Sequence, residues 1–128
     1  DLVLEKWFEM MSSLNLDLEG INHIKTLMEH KSFDIKNPNK LRSVLGAFQR
    51  ENILLFHAED SSGYNFISEK ISIIDKRNPQ VAARLILPLT RFKKYNVDRK
   101  NKIRKVLKNI FNQKPSIDLS EIIEKALN

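Results

Sequence analysis

The chain has 128 residues, 41% apolar and 30% charged, with a net charge of +6 and no cysteine. That is the size and balance of one globular domain, residues 1–128, and it excludes disulfides and thiolate zinc sites. No apolar run approaches the roughly 20 residues of a membrane span, so neither a membrane nor a secretory route is expected, and a cytoplasmic location is. The chain opens on Asp1 in place of an initiator Met, with a helical pattern from the start, so a piece of a longer polypeptide is expected.

In chain order the pattern reads as helix after helix. "LVLEKWFEMMSSL" is apolar on most sides, so it expects burial from more than one direction. "LEGINHIKTLMEH" puts Ile21, Ile24, Leu27 and Met28 on one face. "KNPNKLRSVLGAFQR" offers Asn37 as a cap, Pro38 in the first turn, and Leu41, Val44, Leu45 and Phe48 as its stripe. A loop is predicted over Asp60–Gly63, then a helix ending near Arg77. "NPQVAARLILPLTRFKKY" repeats the Asn-Pro opening at Asn78. There Val81, Ala82, Leu85, Ile86, Leu89 and Phe92 share one side, while Gln80, Arg84 and Arg91 line the other. Pro88 cannot bond the carbonyl of Arg84, so a kink is predicted midway. A basic helix follows, with Val97, Ile103, Val106, Leu107, Ile110 and Phe111 inward. Lys114-Pro115-Ser116 separates it from "DLSEIIEKALN".

No segment alternates as a half-buried strand should. The class is all-α, with about seven or eight helices by this pattern count. Short links favour antiparallel helix pairs. The two Asn-Pro openings lie 41 residues apart, within the span of HEAT and armadillo repeats. A stacked superhelix segment is therefore preferred over a symmetric bundle.

The charge is uneven: residues 1–64 carry 7 Lys/Arg against 10 Asp/Glu, and residues 65–128 carry 15 against 6. The densest run, "RFKKYNVDRKNKIRKVLK", keeps ordinary helical spacing and brings no nucleic-acid reading motif, so it reads as a solvated face. His23, His30 and His57 lack the i, i+4 spacing of a helical zinc site. No catalytic or metal-ligating residue is assigned.

On residues alone, the line of Gln80, Arg84 and Arg91 is either ordinary wet surface or a binding face. Gln80 lies in a helix's first turn, where free N–H groups favour anions. With Arg84 four residues on, the pair suits a peptide carbonyl and a carboxylate.

Three stretches decide between these: "NPNKLRSVLGAF" at 37–48, "FHAEDSSGYNF" at 56–66 and "NPQVAARL" at 78–85. In order and spacing they resemble the C-terminal domain of the bacterial aminopeptidase N (alanyl aminopeptidase) family of zinc metallopeptidases. "LEKWF" and "IIEKALN" extend the resemblance over essentially the whole chain. One departure is Ser61, where the family reads Gly in D-G-S-G-Y.

The resemblance implies a superhelix of paired helices that caps an upstream catalytic domain of the same polypeptide and encloses its cavity. It implies that zinc, its H-E-x-x-H ligands and the residues that hold the substrate's N-terminus lie in that domain. No cofactor is then expected in this chain. Peptide is the implied substrate, and Gln80, Arg84 and Arg42 are the implied contacts on the leaving-peptide side. Two other readings stand beside it: a free-standing helical scaffold for a protein or peptide, and a basic helical module for nucleic acid.

Overall fold

The structure, a computed structural model, describes residues 2–14 and 21–128. Every regular element among them is helical. The start expected for the second helix, at Leu18, lies outside the described residues. The chain forms two compact units, residues 1–63 and 64–128.

In the first unit, α1 (Leu2–Ser13) is followed by α2 (Ile21–Met28), α3 (Pro38–Leu41), a π-helical segment (Arg42–Gly46), α4 (Ala47–Glu51) and α5 (Ile53–Phe56). Asn37 caps α3 as predicted, its side chain accepting from the N–H groups of Asn39 and Lys40, with Pro38 in the first turn. Phe8, Ile24, Val44, Leu45 and Phe48 form the core. Buried Asn52 ties α1 down: its Nδ2 donates to the carbonyls of Ser12 (3.1 Å) and Leu14 (2.9 Å), filling acceptors that a helix end leaves open. The expectation that α1 is buried from more than one direction meets a mixed surface. Phe8 is fully buried, while Leu2, Val3 and Met10 are exposed.

The loop predicted at Asp60–Gly63 ends earlier. Asp60 accepts the N–H of Ser62 (2.9 Å), and α6 (Ser62–Arg77) starts there. Ser61 takes a φ of 65°, the left-handed region. An L-residue pays about 1–2 kcal/mol there that glycine does not, which agrees with the Gly that the resemblance implies at this position. Ser61→Gly should therefore raise stability by about 0.5–1 kcal/mol, read as a higher midpoint in urea unfolding.

The second unit comprises most of α6, then α7 (Pro79–Leu85), α8 (Leu87–Thr90), a 3-10 turn (Phe92–Lys94), α9 (Val97–Asn112) and α10 (Ile117–Leu127). Asn78 caps α7 by accepting from Val81 N–H (3.3 Å). The kink expected from Pro88 falls at Ile86, where α7 stops and α8 begins. Such breaks divide the predicted helices into more segments than the pattern count gave. α10 packs against α7, α8 and α9. Its start is fixed by Asp75, a buried carboxylate that accepts the Ser116 N–H (2.7 Å) and Oγ–H (2.5 Å). Ser116 Oγ in turn accepts from Leu119 N–H.

Two core assignments on α9 are corrected. Val97 is 68% exposed and Phe111 38%. The buried residues Ile103, Val106, Leu107 and Ile110 span an arc of only about 100° at ~100° per residue, and Val97 and Phe111 project beyond its edge.

Candidate functional site

The Asn78 cap and Pro79 fix where α7 begins, and its apolar period fixes which side faces inward. Val81, Ala82 and Leu85 are buried; Gln80 and Arg84, one turn apart, are exposed. They line an open groove of about 500 Å³ with Ala83 and Leu87. The opposite wall is α10, through Asp118, Glu121 and Ile122. Arg91 is exposed but takes no part in the groove, because the chain turns at Ile86 and again at Arg91.

Among the described residues no carboxylate lies within ion-pair distance (4.0 Å) of the Arg84 guanidinium. Arg84 thus presents its planar donors to the groove, beside the amide of Gln80. A guanidinium and an amide together suit a carboxylate and a peptide carbonyl. Asp118 and Glu121 give the same groove acceptors for N–H groups. These two were not singled out from the sequence. Their i, i+3 spacing puts them on one face of α10, but only tertiary packing sets that face opposite Gln80 and Arg84.

Arg42 belongs to the first unit. It opens the π-helical segment, is exposed, and donates from Nη2 to Asn39 Oδ1 (2.5 Å). It lines a groove of about 310 Å³ with Asn39, Ser43, Arg50 and, from α1, Glu5, Lys6 and Glu9. The structure thus brings Gln80 and Arg84 together in one groove and gives Arg42 a groove of its own unit.

Several charges of the basic run are occupied locally. Lys102 pairs with Asp98 (3.0 Å), Arg104 lies over the Phe92 ring (5.5 Å), and Arg99 donates to the Tyr64 hydroxyl (3.1 Å). Burial pushes the Tyr64 phenol above its ordinary range, with Arg99 pulling the other way. Among the described residues no group of three His, Asp or Glu side chains is placed to hold a metal ion, and no helix is long and apolar enough to cross a membrane.

An all-α chain with capped helix pairs and an open Gln–Arg groove matches a known family over its full length. Residues 1–128 match the family described as "Domain of unknown function (DUF3458_C) ARM repeats", and the chain belongs to it. It is 42% identical over 127 residues to aminopeptidase N of Escherichia coli (strain K12), covering 98% of this chain and 14% of that protein, its C-terminal part. It is 40% identical to aminopeptidase N of Haemophilus influenzae over the same shares. The crystal structure of Legionella pneumophila aminopeptidase A in complex with aspartic acid superimposes with a TM-score of 0.88 at 34% identity, over 97% of this chain and 14% of that one. The chain thus spans about one-seventh of the length of the relatives it matches. The stacked-helix repeat class expected from the sequence agrees with the family's description as ARM repeats.

Proposed function

We propose that the chain acts as the C-terminal helical domain of a zinc-dependent aminopeptidase that removes N-terminal residues from peptides in the cytoplasm. In this proposal residues 1–128 form one domain that caps an upstream catalytic domain of the same polypeptide and helps enclose its cavity. Gln80, Arg84 and Arg42 bind the leaving-peptide side of the substrate. Zinc and the hydrolytic residues belong to the catalytic domain, since this sequence contains no H-E-x-x-H. The observation that carries the proposal is the open groove of Gln80 and Arg84, whose guanidinium has no ion-pair partner among the described residues.

In the full-length enzyme Arg84→Ala should mainly raise KM for peptides. The lost charge-assisted contact is worth about 1.5–3 kcal/mol, or roughly 10- to 150-fold. An aminoacyl anilide has no leaving-side carboxylate and should be far less affected. Paired kinetics on a peptide and an anilide, with a melting curve, test this. Equal losses on both substrates, or a melting temperature lower by more than about 5 °C, would show that Arg84 is structural.

A further inference from the structure

The groove that contains Arg42 holds a second guanidinium, that of Arg50. A Cβ placed on Gly46 would come 2.8 Å from Arg50 Nη1. The Arg50 guanidinium therefore lies back over Gly46, one turn towards the N-terminus of its helix, while the residue stays exposed. Eight residues of helix separate the Cα atoms of Arg42 and Arg50 by about 12 Å. Both side chains line one groove, Arg50 with its guanidinium over Gly46 and Arg42 with its guanidinium turned to Asn39.

Two further observations favour a ligand over simple surface charge. Residues 42–46 are π-helical, a rare geometry that recurs at functional sites because it re-aims the side chains around it. Glu5 and Glu9 line the same groove, yet among the described residues neither lies within 4 Å of Arg42 or Arg50; Glu9 is 3.8 Å from Lys6 instead. Arg42 bonds the neutral Asn39. The groove carries three cations against two carboxylates, with both guanidinium groups free of ion pairs.

We infer that Arg50 is a specificity-determining binding residue: with Arg42 it takes a carboxylate side chain on the leaving segment of the peptide, so the enzyme favours leaving segments that carry Glu or Asp. This rests on the proposed role of Arg42 on the leaving-peptide side. Gly46 is the positioning residue, because its missing side chain is what seats Arg50.

The test uses the full-length enzyme and a set of tetrapeptides that carry Glu or Gln at the second, third or fourth position. At one of these positions the unmodified enzyme should prefer Glu in kcat/KM. Arg50→Ala should reduce that preference about three- to tenfold, through a KM that rises more for the Glu peptide than for the matching Gln peptide. Arg50→Lys should keep part of the preference. Gly46→Ala retains the charge but displaces the guanidinium, a flexible side-chain end that can move at little cost, so it too should lose the preference while the melting temperature holds. It serves as the test if Arg50→Ala folds poorly. No Glu preference at any position, or equal effects of Arg50→Ala on Glu and Gln peptides, would overturn the inference. Arg84→Ala in the same assays separates the two claims. If it raises KM for all peptides while Arg50→Ala does nothing, only the role of Arg50 fails. If neither change affects any peptide, the leaving-side reading fails with it.

Discussion

Gly63→Ala should destabilise the chain by more than about 3 kcal/mol and lower its melting temperature by roughly 10 °C. Gly63 is buried in the first turn of α6, where that turn meets the end of α5. An added Cβ would come 2.2 Å from the Leu55 carbonyl oxygen, 2.4 Å from that of Phe56 and 2.7 Å from Phe56 Cα. All three are backbone atoms, so no rotamer change relieves the clash, and the backbone at Gly63 must shift away from Leu55 and Phe56. Gly46 is the useful contrast, because there the neighbour is the mobile end of Arg50. Thermal unfolding of the purified chain checks the difference. A Gly63→Ala midpoint within about 2 °C of the parent would mean that the α5–α6 contact yields more easily than this packing implies.

Asp75→Ala should cost about 3 kcal/mol. The Asp75 carboxylate is 6% exposed and accepts two hydrogen bonds from Ser116. Its removal leaves the Ser116 N–H without its acceptor and frees the hydroxyl that caps α10. Because α10 supplies one wall of the Gln80–Arg84 groove, the loss should reach the site as well as the melting curve. Asp75→Asn retains one acceptor oxygen and should cost roughly half as much. Urea unfolding of the three proteins measures the order. A loss below about 0.5 kcal/mol for Asp75→Ala would place the strength of the α10 start elsewhere.

Local chemistry made much of this fold legible. Asn37-Pro38 and Asn78-Pro79 open helices because a side-chain acceptor and a fixed φ act within one turn, whatever surrounds them. Pro88 marked a break for a similar reason, although the turn itself falls at Ile86. Gln80 and Arg84 share a face by helical period alone. Other features depend on what lies across space. Nothing local announces that residues 42–46 are π-helical, or that Gly63 serves a helix contact within α6 and not a loop. Val97 and Phe111 looked inward because the apolar pattern does not report how wide an arc of α9 its neighbours cover. The left-handed Ser61 was visible only as a departure from the family's Gly. Arg42 carries its site role from the resemblance, whereas Arg50 emerges from the structure, through the space that Gly46 leaves.

The most direct measurement is a crystal structure of the full-length enzyme with a non-cleavable peptide bound. The leaving segment should run along the α7–α10 groove, with the Arg84 guanidinium and the Gln80 amide within hydrogen-bond distance of its carboxylate or carbonyl groups. A groove filled by another part of the polypeptide, or a peptide whose leaving end touches neither residue, would contradict it.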